Sequence, residues 1–276
     1  MKNNSVAILY ICIGKYIAFW EDFYKSFEKN FLPDYLKAYF VFTDSPKIWG
    51  EEENPHIHRI YQEDLGWPGN TLFRYKMFLS VLSKLKEYDY TFFMNANVIC
   101  LTEITAQMIL PLDKEFTVVQ HPAYYNKKPY EFDYEYRKKS LAYIPCGSGN
   151  VYICGGINGG KTASYIKLIQ TLAENIDKDF NRGITAKWHD ESHINNYILG
   201  RTDYRLLSPS FCYPEGWSLP FEPLLLVREK STVIPLDAKK ERRAKRQGTL
   251  IGKILLKLLK MKRLLIYKIK TTTGVC

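Results

Sequence analysis

The sequence predicts an α/β fold with a mostly parallel central sheet flanked by helices, and three observations carry that prediction. Short apolar runs, Val6–Ile11, Ala38–Phe42 and the stretch from Tyr90 to Met94, have the content of strands buried on both faces. Amphipathic helical stretches, Ile17–Lys29 and Leu72–Lys86, lie between them. Strand and helix in alternation are the mark of parallel βαβ units.

Taken in order, Val6–Ile11 is a first strand that ends in the Gly14-Lys15-Tyr16 turn. Phe19, Trp20, Phe23 and Phe27 then recur at helical spacing, until Pro33 stops the helix. Ala38–Phe42 is a second strand closed by the turn residues Thr43-Asp44-Ser45-Pro46. Leu65-Gly-Trp-Pro-Gly-Asn70 is a loop whose Asn70 or Thr71 would cap the helix Leu72–Lys86. The next strand stops at Asn95-Ala-Asn97, two amides that an extended backbone would point to one side. Such a pair reads either as a strand-ending turn or as part of a ligand site at the carboxyl end of a sheet. Phe116–His121 is a further strand, and residues 126–150 form a polar, aromatic loop. Val151–Ile153 leads into Cys154-Gly-Gly-Ile-Asn-Gly-Gly160, ahead of the helix Thr162–Asn175. Glycines there serve either close packing or the approach of an anion. A last helix, Glu191–Leu199, follows Trp188-His-Asp-Glu-Ser-His-Ile-Asn195.

The net charge of +10 resides in the tail. Between Lys239 and Lys270 stand 13 Lys/Arg against one acid, Glu241, which leaves −2 on the rest. A nucleic-acid binder would spread its basic residues over the folded body, so that class recedes. From Leu250 to Ile269 lysines such as Lys253, Lys257 and Lys260 take one side of a helix, and Ile254, Leu258, Met261 and Leu265 take the other. This predicts an anchor on an anionic membrane surface, against a core-packed helix or a nucleic-acid arm. The body would be residues 1–236 and the tail 237–276. No apolar run reaches the roughly 18–20 residues that span a bilayer. Six cysteines without CxxC spacing suit a reducing compartment.

His189 and His193, four apart, would share a helix face and can hold zinc, although no third ligand is evident. Asp190 and Glu191 read either as acids favoured at a helix N-terminus or, beside Trp188, as carboxylates acting on a sugar.

Collinear segments resemble glycosyltransferase family 6, which includes the histo-blood-group A and B transferases and α1,3-galactosyltransferase. They are Ile13–Tyr16, Val41–Asp44, His121-Pro122, Ala142–Pro145, Cys154–Gly156 with Gly159-Gly160, Trp188–His193 and Leu207–Pro209. The resemblance covers residues 6–228 and implies a GT-A-type fold with retaining α1,3 transfer from a UDP-sugar. Carried over, Ile11, Cys12, Ile13 and Tyr16 would hold the uridine, and Arg74 and Asp190 the donor sugar. Asn95, Ala96, Asn97, Cys154, Gly155 and Gly156 would line the donor site. His121, Asp133, Trp188 and Glu215 would meet the acceptor, and Glu191 is the catalytic carboxylate, as nucleophile or stabiliser. Where vertebrate members carry a metal-binding Asp-x-Asp, this chain has Asn-x-Asn, the form of the bacterial, metal-independent branch. No cofactor is therefore expected, and Arg228 and Lys230 are expected to offset the diphosphate's charge. Gly156 points to UDP-GalNAc as donor, with UDP-Gal as the alternative, and a β-galactoside with or without α1,2-fucose as acceptor. The expected place is the cytoplasmic face of a bacterial membrane, building blood-group-A-like ends on lipopolysaccharide. An idle glycan-binding module and a zinc hydrolase are the readings from other classes.

Overall fold

The computed structural model describes residues 4–234 and five positions further on, 258, 261, 262, 264 and 265. The polybasic cluster and most of the tail helix lie outside the described residues. In chain order the elements begin β1 (Ser5–Ile11), α1 (Trp20–Asn30), β2 (Leu36–Thr43), β3 (Ile57–Tyr61), α2 (Gly66–Leu72), α3 (Arg74–Leu79), α4 (Leu82–Leu85) and β4 (Tyr90–Met94). They continue β5 (Val98–Cys100), α5 (Ala106–Ile109), β6 (Phe116–Gln120), β7 (Ile153–Lys161), α6 (Thr162–Asn181), α7 (Asp190–Ile198), β8 (Tyr204–Leu207), β9 (Tyr213–Pro214) and β10 (Leu225–Val227).

Seven strands form the central sheet in the order β3-β2-β1-β4-β7-β6-β8, parallel except for β7, which runs against both β4 and β6. Side chains alternate across it. On β1, Val6, Ile8 and Tyr10 pack with Trp20, Phe23 and Phe27 of α1, while Ala7 and Leu9 face the side covered by α3, α6 and α7. A second sheet, β5-β10-β9, lays β10 antiparallel to β5 and so brings the chain after residue 227 back to the end of β4.

Two expectations change. The helix Leu72–Lys86 is broken, with non-helical backbone at Phe73 and Val81. The Ser80 hydroxyl takes the Met77 carbonyl at 2.7 Å, and Val81 N–H turns to Phe78 instead. Asn70 caps nothing at Leu72: its side chain accepts from Leu65 N–H and donates to Asp64 in the preceding loop. The glycine run lies inside β7, directly ahead of α6. A Cβ on Gly159 would come within 2.3 Å of the Phe92 ring, and one on Gly160 within 2.3 Å of the Glu115 carbonyl. These glycines let neighbouring strands close up.

Candidate active site

A cleft of about 420 Å³ opens at the carboxyl ends of β1 and β4. It brings together Ile11, Ile13, Tyr16, Arg74, Asn95, Ala96, Asn97 and Lys230, as the sequence predicts. Gly14 makes the turn after β1 with φ +58°, and Asp44 holds its N–H at 2.7 Å. Cys12 is not part of this wall. Strand-like alternation sends it into the core, where burial pushes its thiol up to about 12. Its carbonyl is taken by the Thr43 hydroxyl. Cys154 likewise faces the core on the α1 side of the sheet.

The two amides do not sit on an extended strand. The backbone turns, with Val98 N–H bonded to the Asn95 carbonyl at 3.2 Å. Asn95 N–H is held by the Gly156 carbonyl at 2.8 Å, and the Asn97 side chain donates to the Arg228 carbonyl at 2.6 Å. Arg228 itself points away from the cleft. Its guanidinium pairs with Asp22 at 2.7 Å, drawn by that carboxylate and the face of Phe19. Lys230 instead reaches over the Tyr16 ring.

Arg74 forms the charged floor. It lies 4.4 Å from the Phe93 ring centroid and donates to the Gly155 carbonyl at 2.9 Å. Its Nε stands 3.0 Å from Asp190 Oδ2, and both residues are buried. That oxygen takes no aligned hydrogen bond, so the pair is Coulombic in character. Burial pushes the Asp190 carboxyl up to about 7, with Arg74 pulling it down.

Glu191 follows in the first turn of α7, where the helix dipole favours an acid. Its Oε1 accepts from the Tyr152 hydroxyl at 2.9 Å and its Oε2 from Gly155 N–H at 2.8 Å. A Cβ on Gly155 would stand 2.9 Å from the Glu191 Cβ, so a glycine is needed for this approach. His189, just before the helix, has φ +54°, a strained conformation for a side-chain-bearing residue.

Of the residues expected to meet the acceptor, His121 borders this carboxylate through an aromatic cluster. His121 packs against Tyr124 and Tyr152, and burial lowers its pKa against the pull of Glu191. Its Nδ1 accepts from Ala123 N–H at 3.1 Å, which places the proton of the neutral ring on Nε2. Asp133 pairs with Lys187 at 2.9 Å, and the neighbouring Trp188 is 41% exposed. Glu215 does not project a free carboxylate toward these groups: its Oε2 accepts from Glu229 N–H at 2.7 Å. Tyr152 is the main site residue that sequence reasoning missed. It carries no motif of its own, and only the buried contact to Glu191 reveals it. Trp67, Asp64 and Lys15 also line the cleft unforeseen. The Gly-Trp-Pro-Gly loop was the available signal.

His189 and His193 do not share a face. His189 packs on Trp67, whereas His193 is buried 3.7 Å from Asp179. At the position of an Asp-x-Asp motif the cleft presents two amides. Its amides are neutral, and Asp64, an acid on its wall, already accepts from Gly66 N–H and Asn70. Among the described residues no group of three or more His, Cys, Asp or Glu can hold a metal ion.

A mostly parallel seven-stranded sheet flanked by helices, with a cleft at the strand ends, is consistent with a GT-A-like domain. A model of glycosyltransferase family 6 matches residues 1–229, and the chain belongs to that family. An O-antigen biosynthesis glycosyltransferase of Escherichia coli, WbnI, is 36% identical over 225 residues, covering 82% of this chain and 94% of the relative. A globoside α1,3-N-acetylgalactosaminyltransferase of Gallus gallus is 27% identical over 230 residues, 81% of this chain and 66% of the relative. The histo-blood group ABO system transferase 1 of Rattus norvegicus is 27% identical over 227 residues, 79% and 64% of the two chains. The protein is thus a hexosyltransferase, and the idle-module and hydrolase readings give way.

Proposed function

We propose that this enzyme is a retaining α1,3-N-acetylgalactosaminyltransferase that moves GalNAc from UDP-GalNAc to an α1,2-fucosylated β-galactoside without a metal ion. The observation that carries this reading is Glu191, held by Tyr152 and Gly155 N–H beside the buried Arg74–Asp190 pair. A carboxylate fixed at both oxygens is preorganised for positive charge developing at the sugar's anomeric carbon, as stabiliser or as nucleophile. Asp190 and Arg74 would orient the donor hydroxyls, and Lys230 would offset the charge of the departing UDP. His121 Nε2–H would donate to an acceptor oxygen. Metal independence is supported by the neutral amides and by the hydrogen bond that commits Asn97.

For the donor, Gly156 removes a methyl next to the site, which favours the larger acetamido sugar. One contact favours UDP-Gal instead: a Cβ at Gly156 would meet Asn95 Nδ2 at 2.3 Å, so that space is held by the amide. Gly156→Ala would act by pushing Asn95 into the cleft and should shift preference toward UDP-Gal.

The tail would hold the enzyme on the anionic inner face of a bacterial membrane, near a lipid-linked acceptor such as an O-antigen precursor. Leu258, Met261 and Leu265, three apolar residues on helical spacing, are exposed. Deletion of residues 239–276 should release the protein from anionic vesicles and preserve turnover of a soluble acceptor; equal vesicle binding would refute the anchor.

The test of the activity is turnover of UDP-GalNAc and UDP-Gal with 2′-fucosyllactose in EDTA, for wild type and Glu191→Gln. GalNAc transfer that survives EDTA and falls by about 10³-fold in the variant supports the assignment. Transfer that needs added Mn²⁺, or that is indifferent to Glu191→Gln, contradicts it.

A further inference from the structure

The small sheet ends in an unusual rung. β10 pairs with β5 antiparallel, Val227 opposite Val98, so the next pair is Arg228 with Asn97. Arg228 N–H donates to the Asn97 carbonyl at 2.8 Å, as a continuing ladder requires. The return bond to the Arg228 carbonyl comes not from a backbone N–H but from the Asn97 side-chain amide, at 2.6 Å. The turn at residues 95–98 takes the backbone out of register, and the amide replaces the missing donor. One residue on, Glu229 N–H donates to the Glu215 carboxylate at 2.7 Å, and Glu215 N–H returns to the Val227 carbonyl at 2.9 Å. Residues 228 and 229 are therefore gripped from both sides, and the next residue is Lys230, on the cleft wall.

We propose that Asn97 and Glu215 form a two-point clamp that sets Lys230 at the donor's diphosphate. Asn97 is then a positioning residue, not a ligand of the diphosphate or of a cation. Only a side chain that donates a hydrogen bond can fill the Asn97 position. A carboxylate there would face the Arg228 carbonyl, acceptor against acceptor, and push the strap away. The amide in the Asn-x-Asn form thus has a chemical reason of its own: it trades a place for a cation for a grip on the segment that carries a lysine. Glu215, which the resemblance places toward the acceptor, then belongs to the donor side. The inference rests on the reading of the cleft as the UDP-sugar site.

The experiment is a double-mutant cycle on UDP affinity, measured by calorimetry in EDTA on the full chain. Lys230→Ala and Asn97→Asp should each weaken UDP binding by about tenfold, the scale of a lost charge-assisted hydrogen bond. Adding Asn97→Asp to Lys230→Ala should cost less than about twofold more, because the clamp has nothing left to position. Glu215→Ala, at an exposed site where folding is safe, should weaken binding by about threefold, and again not in the Lys230→Ala background. Additive losses, or recovery of the Asn97→Asp variant by Mn²⁺, would overturn the clamp and make Asn97 a direct ligand. Wild-type affinity in Lys230→Ala would overturn it as well. A wild-type chain that binds no UDP would instead remove the cleft reading beneath it.

Discussion

Arg74 and Arg228 each pair with an aspartate, in two regions that the sequence leads one to treat alike. Arg74 lies on the cleft floor, with 8% of its side chain exposed and 2% of Asp190. Arg228 sits on the outer rim, where its side chain is 21% exposed and that of Asp22 60%. The floor pair has no water to fall back on, and it is boxed in by Phe93 and the Gly155 carbonyl. The rim pair exchanges freely with solvent, and salt screens it. The floor is therefore a fixed electrostatic frame for the proposed donor site, while the rim holds a strap through backbone contacts that the side-chain pair only assists.

Removing each arginine puts the largest strain on this contrast. Arg74→Ala strands a buried carboxylate and should lower unfolding free energy by about 3–5 kcal/mol, whereas Arg228→Ala should cost under about 1 kcal/mol. Urea unfolding of the two variants measures the gap, and equal losses would erase the distinction. A second contrast lies within α7. Asp190 and Glu191 face the site, but His193 is buried on the far side, where burial lowers its pKa from 6.5 to about 4. The folded state therefore binds fewer protons than the unfolded chain between those values. The stability that neutral His193 contributes is complete above pH 6.5 and is lost as pH falls through about 4. The loss should reach roughly 3 kcal/mol, and His193→Gln should flatten that part of the pH profile. A smaller effect tests how Glu191 is held. Tyr152→Phe removes one of its two donors and should lower kcat by about tenfold with KM for donor little changed. A change confined to KM would mean that Tyr152 only packs the acceptor wall.

The strand ends were legible in the sequence because they follow periodicity, whereas Arg74 and Asp190 of the floor were reached only through the resemblance. Apolar runs gave β1, β2, β4 and β6, but the resemblance carried Cys12 over with its neighbours, and only the structure separates the core-facing Cys12 from Ile11 and Ile13 on the cleft wall. The short strands of the second sheet, of three, two and three residues, are too brief for any period to show. Hence Lys230 was foreseen only from the need to offset the diphosphate's charge, and the outward turn of Arg228 was not. The wall proposed to meet the acceptor was the least legible part. It is a long excursion between β6 and β7, ordered by the cluster Phe132, Tyr134, Ile144 and Tyr152 and by the buried Glu135, which takes Lys187 N–H at 2.7 Å. Contacts between residues so far apart in sequence leave no local pattern, which is why Tyr152 passed unnoticed beside the glycines of β7.

The most direct test is UDP affinity of the full-length wild type, measured first in EDTA and then with saturating Mn²⁺. A cleft lined by neutral amides and a clamped lysine predicts the same affinity in both, within about twofold. Binding that appears only with Mn²⁺ would mean that a cation carries the diphosphate's charge, and would contradict both the clamping role of Asn97 and the charge-offsetting role of Lys230.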